Sequence, residues 1–572
     1  MESCVRSSLP ILSVRDLGFT YREAARPALG GITFDLGAGE LLVVMGASGA
    51  GKSTLCRCFN GIIPNFLKGD LQGEVRLLGE QVSRMRVAEA ARTTGLVFQD
   101  FESQLFATSV ELEVAFGAES QGVPREEILR RVKELLALVG LSDLRRRRPA
   151  TLSGGEKQRL AIAASLSAAP ALLVLDEATS DLDPVGKAAV FALARRLTSA
   201  EGARRAVVFA HHDAEEAVEA SRVLVLGEGR PMALGSPAEV LADPAMLSEQ
   251  GIMPLATAAV CSALGIEKRP LEVEGAAELL LSRGLHLARE AGRAWEERDR
   301  ARADKPGEPI VEVRGLTHCY EGGEPVLHGI DLAIRRGEFV AIIGQNGSGK
   351  STLVKHFNGL LRPTQGGVRV GGEKANSLPL SALGQRVGHV FQNPDHQIFA
   401  PTVAEEVAFA PRNFGVEGEE VEARVAEALS AVGLAGREGE DPFALTKGER
   451  QRVAVASVLA GRPEVLIFDE PTTGLDAREC RGIMSLIERL NRQGHTIIVV
   501  THAMWLVAEY ADRVVVMQGG RVVLDAPTRR AFAEEEALRG ASIIPPQIVR
   551  LSRRLGGTAL RVAELVEALR RG

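Results

Sequence analysis

The chain has 572 residues, too many for a single hydrophobic core, and its length predicts two large units or three to four ordinary ones. With 45% hydrophobic residues, 25% charged residues and a net charge of −6, it reads as a globular chain with no general electrostatic pull toward nucleic acid or an anionic membrane. Six scattered cysteines (Cys4, Cys56, Cys58, Cys261, Cys319, Cys480) without a CxxC pair argue against a disulfide framework and against a cysteine zinc site.

From the start of the chain, Met1 to Pro10 lacks the apolar core of a secretory signal, which predicts a cytoplasmic location. Leu41 to Met45 is a short apolar strand followed by Gly46-Ala47-Ser48-Gly49-Ala50-Gly51-Lys52-Ser53-Thr54, a GxxxxGKS loop between strand and helix. Its glycines let successive N–H groups turn inward around phosphates at a helix N-terminus, where partial positive charge suits an anion. Lys52 is placed to reach β- and γ-phosphates, and the Ser53 hydroxyl to hold Mg²⁺.

The longest uncharged stretch, Leu160 to Leu175, is too short to span a bilayer and is cut by Pro170. Its second half predicts a buried strand over 171–175 that ends in the acid pair Asp176-Glu177. The first acid is placed to coordinate Mg²⁺ indirectly, the second to polarise an attacking water. Further buried strands are predicted at 206–209 and 222–226. Residues 289–308 carry dense charge of both signs and close with Pro306-Gly307, which reads as a solvated helix or linker ending in a break.

Beyond this stretch the sequence repeats itself. The glycine-rich loop returns as Gly344-Gln345-Asn346-Gly347-Ser348-Gly349-Lys350-Ser351-Thr352, after the apolar strand Phe339 to Ile343. Lys350 and Ser351 take the roles of Lys52 and Ser53, and the acid pair returns as Asp469-Glu470. Counterpart strands are predicted at 465–468, 496–500 and 513–517. Strands alternating with helices indicate a mostly parallel sheet covered on both faces, twice over. Four segments follow: 11–250 and 308–530 as the two repeated domains, 251–307 as a helical tail with the charged linker, and 531–572 as a helical C-terminal tail. In the last, Val562, Leu565, Val566 and Leu569 have helical spacing suited to packing on a neighbouring domain.

Between Gln99 and the Asp176-Glu177 strand lies Leu152-Ser153-Gly154-Gly155-Glu156, continuing Lys157-Gln158-Arg159, and with this signature the chain resembles the ATP-binding-cassette (ABC) family. The resemblance implies two α/β P-loop ATPase domains, each with a mostly parallel sheet, flanking helices, an antiparallel β subdomain and a helical subdomain. It implies ATP and Mg²⁺ as ligands, and a head-to-tail pairing of the two domains in which each ATP lies between one P-loop and the other domain's signature. It assigns Gln99 and Gln392 to the loops that sense Mg²⁺ and the γ-phosphate, His212 and His502 to the switch histidines, and Asp183 and Asp476 to the loops touching the opposite domain. It places Tyr21 and Tyr320, two of the chain's three tyrosines, where an aromatic ring stacks on adenine.

The halves differ in places. The second signature is Leu445-Thr446-Lys447-Gly448, with Lys447 where the first half has Gly154. A backbone angle reserved for glycine there would strain a lysine by about a kcal/mol or more, or the lysine could instead offer its charge to the phosphate. The altered signature faces the first P-loop in the implied pairing, so the Lys350/Glu470 site is expected to be the faster. His211 stands where the second half has Thr501.

Within the family, the ribosome-acting proteins typically carry Asn-His-Leu-Asp after the acid pair, whereas this chain has Ser180-Asp181-Leu182-Asp183 and Thr473-Gly474-Leu475-Asp476. DNA-repair members need zinc cysteines, which are absent. The stretch from Phe391 to Phe399 (FQNPDHQIF), followed by Thr402 to Phe409, is similar to the ATPases of energy-coupling-factor importers, which take up vitamins or transition-metal ions. In the first half, Asp100 to Ser103 departs from that pattern, and Gln104-Leu105-Phe106 and Glu111 to Gly117 rejoin it. The implied partners are a transmembrane coupling protein and a small substrate-binding membrane protein, at the cytoplasmic face of the membrane, with no nucleic acid. A soluble tandem cassette acting on ribosomes or DNA, and the tandem ATPase of a sugar importer, are the alternatives.

Overall fold

The computed structural model describes residues 9–179, 182–199, 205–287, 289–303, 307–320 and 322–571. Ser180, Asp181, Pro306 and the first eight residues of the N-terminal stretch lie outside the described residues. The chain divides into two compact units. The first is built on residues up to Ala259 with the short stretches Arg269–Leu271 and Asp476–Arg478, and the second on the remainder.

In the first unit, a six-stranded sheet runs in the order Arg230–Gly235, Arg222–Gly227, Leu41–Met45, Ala206–Ala210, Leu172–Asp176, Thr94–Val97. All pairings are parallel except the first, which is antiparallel and closes one edge. The continuous apolar runs have a simple cause: both faces are buried. Leu41, Val43 and Met45 enter one core with Val207, Phe209, Leu173 and Leu175, while Leu42 and Val44 enter the other with Val208, Leu172 and Val174. The first of these cores also takes the helices Val110–Ser120, Arg125–Leu138 and Gly154–Ser167 through Val114, Val132, Leu136 and Leu160. The second core is capped by a four-stranded antiparallel sheet, Leu29–Leu36, Leu12–Tyr21, Gly69–Leu77 and Glu80–Gln81, through Leu12, Val14, Phe34 and Val75.

The second unit repeats the plan. Its six strands run Val387–Val390, Val465–Asp469, Thr496–Val500, Phe339–Ile343, Arg513–Gln518, Arg521–Pro527, again with only the last pairing antiparallel. A four-stranded antiparallel sheet, Pro325–Arg335, Pro309–Cys319, Gln365–Val370 and Glu373–Lys374, and the helices Val403–Asn413, Glu419–Val432 and Lys447–Leu459 complete it. The α/β architecture expected from the sequence, with its antiparallel and helical subdomains, is present in both units.

The second unit also holds helices from both tails. Val273–Ser282 packs against Gln547–Arg554, Arg554 pairs with Glu274 at 3.1 Å, and the Leu287 N–H donates to the Leu555 carbonyl. The charged stretch forms the helix Arg289–Ala303, but it is anchored: Trp295 is 4% exposed, beneath the Arg529 guanidinium at 5.1 Å. Arg529 in turn reaches Asp299 (2.6 Å) and Glu564 (2.9 Å) on the last helix, Val562–Arg571. No helix among the described residues is long and apolar enough to cross a membrane.

Candidate functional site

Each glycine-rich loop follows the central strand and turns into a helix that starts at its lysine, Lys52–Phe59 and Lys350–Phe357. The turn needs glycine at its first position. Gly46 and Gly344 have φ of 151° and 154°, and a Cβ there would stand 2.4 Å from the Leu226 carbonyl or 2.3 Å from that of Met517. Gly51 and Gly349 open the helices in the left-handed region. The Lys52 ammonium donates to the carbonyls of Gly46 and Ala47, both at 2.9 Å, and Lys350 does the same to Gly344 (2.8 Å) and Gln345 (2.9 Å). Each nearly buried lysine is thus folded over its own loop.

The carboxylates meet these loops. The Ser53 hydroxyl donates to Asp176 Oδ1 at 2.9 Å. Burial pushes the Asp176 carboxyl up to about 6, against the opposing pull of Ser53, and Asp469 is raised for the same reason beside Ser351. A buried carboxyl beside a hydroxyl is an all-oxygen donor set that fits Mg²⁺. Glu177 accepts from Gln99 Nε2 (3.0 Å) and faces Lys52 Nζ (3.0 Å). In the second unit Glu470 meets His502 Nδ1 at 2.8 Å. Both glutamates sit at φ 48°, unusual for a side chain of that size, fixed by N–H bonds from Glu177 to Ala210 and from Glu470 to Val500.

Around this centre, Tyr21 bonds Thr54 through their hydroxyls at 3.0 Å, and the half-exposed Tyr320 bonds Thr352 at 3.1 Å. Both rings therefore stand beside their P-loop helices. His212 follows the strand that ends at Ala210. Burial first, then its neighbour His211, keeps its imidazole well below the usual range and neutral at pH 7. Gln392 is exposed, Asp183 accepts from the Gly186 N–H (2.8 Å), and Asp476 is buried.

The signature residues open their helices as N-caps with full capping boxes: Ser153 with Glu156, and Thr446 with Glu449. This placement corrects one expectation. Gly154 is the first residue of a helix, without a positive φ, and a Cβ there meets nothing within 4 Å. Lys447 therefore carries no backbone strain. Its ammonium lies against Gly474, 2.4 Å from where a Cβ would stand, so the lysine fills space left by a glycine in the acidic loop of its own domain.

Several positions escaped the motif reading. Glu113 and Glu406, 3% and 2% exposed, each accept two backbone N–H bonds, from Phe106 and Ala107 and from Phe399 and Ala400, at 2.7–3.0 Å. Each staples the loop after its glutamine. The outcome is an outward-facing aromatic pair, Phe106 with Phe116 (4.8 Å) and Phe399 with Phe409 (4.7 Å), edge to face, every ring 49–64% exposed. The departure at 100–103 also keeps an ion pair: Glu102 meets Lys157 at 2.8 Å, as Asp395 meets Arg450 at 2.7 Å. A recurrent acid–base link between loop and signature helix was legible only as a charge pattern.

Residues 29–180 and 327–473 match the family model described as ABC transporter. A relative from Caldanaerobacter subterraneus subsp. tengcongensis, named as an ABC transporter ATP-binding protein, is 48% identical over 98% of both chains. One from Methanosarcina acetivorans with the same description is 38% identical over 96% of this chain and 92% of its own. Among solved structures, cbiO1 from Clostridium perfringens, part of the ABC transporter complex cbiONQ, is 38% identical over 42% of this chain and 97% of its own, with a TM-score of 0.38.

Proposed function

The chain belongs to the ABC transporter family and is an ATPase, and from that premise we propose that it is the tandem ATP-hydrolysing subunit of a membrane importer of the energy-coupling-factor type, for vitamins or transition-metal ions. The observation that carries this reading is the pair of exposed phenylalanines beside each glutamine loop. Burying one such ring against a partner stabilises a complex by up to about 1.5–3 kcal/mol. Two stapled pairs at matched places, held into water, suit helices of a transmembrane coupling protein better than they suit an isolated ATPase. The stretch Phe391 to Phe399 supports the importer class, whose cargo is captured by a small separate membrane protein. The chain then works at the cytoplasmic face of the membrane, held there by its partners.

Within each domain the residues divide the work. The glycine-rich loop and its lysine, now folded on loop carbonyls, bind the β- and γ-phosphates. Ser53 with Asp176, and Ser351 with Asp469, would hold Mg²⁺, which when bound neutralises phosphate charge. Glu177 and Glu470 orient and polarise the attacking water, and the histidines donate hydrogen bonds to the γ-phosphate. Tyr21 and Tyr320 flank the adenine. In the head-to-tail pairing that the family resemblance implies, the signature containing Lys447 completes the Lys52/Glu177 site. Glu470 meets His502 at 2.8 Å, and Glu177 meets both Lys52 and Gln99 at 3.0 Å. Hydrolysis is faster at the Lys350/Glu470 site, which the unaltered signature completes.

Isolating the chain with its partners from detergent-extracted membranes of source cells tests the reading. An integral membrane protein should accompany the wild type and be lost from the variant carrying Phe106→Ser and Phe399→Ser, with ATPase activity retained. Recovery of ribosomes, or of the same membrane protein with both forms, would contradict it.

A further inference from the structure

One cluster in the first unit has no part in the hydrolysis chemistry. The strand Ala206–Ala210 leads into His211, His212 and Asp213, and Asp213 caps the short helix Ala214–Ala217, which carries Glu216, by accepting from the Glu215 N–H at 2.9 Å. The His211 ring has no exposed surface and stacks on Phe209 at 5.4 Å. Its Nδ1 faces the Thr179 hydroxyl at 3.4 Å, and its Nε2 stands 2.8 Å from Glu216 Oε2.

Both atoms are buried, and neither has a geometric hydrogen-bond partner among the described residues. With the ring proton on Nδ1, toward Thr179, two lone pairs confront each other at 2.8 Å. Buried acceptors so placed are unfavourable unless a positive charge sits beside them. Asp213 supplies a third donor: one ligand atom from each of the three residues lies within 4.8 Å of the others. His211 is buried, while Asp213 and Glu216 are only partly so.

The second half provides an internal control. Aligned on the switch histidines, the three positions there are Thr501, Ala503 and Leu506, so all three donors are missing together.

We propose that His211, Asp213 and Glu216 form a binding site for one divalent transition-metal ion, with Zn²⁺ the best match to one imidazole and two carboxylates. The site is separate from the Mg²⁺ positions at Ser53/Asp176 and Ser351/Asp469 and does not depend on the importer reading. Because His211 and Asp213 flank His212, a bound ion fixes the backbone on both sides of the switch histidine, in the first domain only. The alternative occupant is a proton shared by His211 and Glu216.

The test is equilibrium dialysis of the full chain, stripped with chelator and free of nucleotide, against Zn²⁺, followed by elemental analysis. The wild type should retain one equivalent, and the variant carrying His211→Thr, Asp213→Ala and Glu216→Leu, which borrows the second half's residues, should retain none. Should that variant fail to fold, Glu216→Gln alone should weaken Zn²⁺ retention by at least about tenfold. Co²⁺ in place of Zn²⁺ should give visible bands in the wild type that the variants lack. No retained equivalent in the wild type, or equal retention in the variants, would overturn the proposal.

Discussion

Glu177 and Glu470 occupy a left-handed backbone state that costs a side chain about 1–2 kcal/mol, and both are locked in it by a hydrogen bond to the neighbouring strand. The strain aims each carboxylate at its lysine or histidine. At Lys447 the opposite holds, since the helical first position accepts any side chain. Gly154→Ala should therefore change unfolding free energy by no more than about 0.5 kcal/mol in urea titration. A loss of about 2 kcal/mol would reinstate glycine-specific geometry. The phosphate loops and acid pairs were legible in the sequence, because they act through local backbone; the capping role of Ser153 and Thr446 was not read. Lys447 was misread because the same glycine can serve φ or simply space, and only φ decides.

Among the elements, the loops after Gln99 and Gln392 owe their shape to one buried carboxylate each. Glu406→Ala should leave the Phe399 and Ala400 N–H groups unpaired and lower stability by about 1–3 kcal/mol in urea unfolding, while retention of the proposed membrane partner falls. Unchanged stability would show that water replaces the carboxylate. The tail elements follow a different logic. Trp295 is packed under Arg529, so Trp295→Ala should cost about 3 kcal/mol. Burial opposes ionisation of Glu564, yet the Arg529 guanidinium holds its carboxyl below the usual range. A lowered carboxylate contributes stability above the unfolded value of about 4.3 and loses it as pH falls through the folded one. Urea midpoints at pH 7 and pH 3.5 should differ less in Glu564→Gln than in the wild type; an equal difference would mean the pair adds nothing. The helical spacing of Val562, Leu565, Val566 and Leu569 announced a packed helix. The partner of Trp295 was invisible, because it lies far along the chain and pattern alone does not reveal such pairings.

Across the whole molecule, duplication supplies two complete sets of hydrolytic residues, and divergence has made them unequal. The second half alters its signature at Lys447, and the first carries the His211, Asp213 and Glu216 cluster that the second lacks. Both keep the glutamate and the histidine, so neither site is proposed to be inactive. Among the contacts described, Glu177 meets Lys52 and Gln99, and Glu470 meets His502. The most direct test is steady-state ATP hydrolysis by the wild type and by Glu177→Gln and Glu470→Gln, each alone. Glu470→Gln should remove the larger share of activity, with Glu177→Gln retaining a measurable part; equal losses, or the reverse order, would contradict two working but unequal sites.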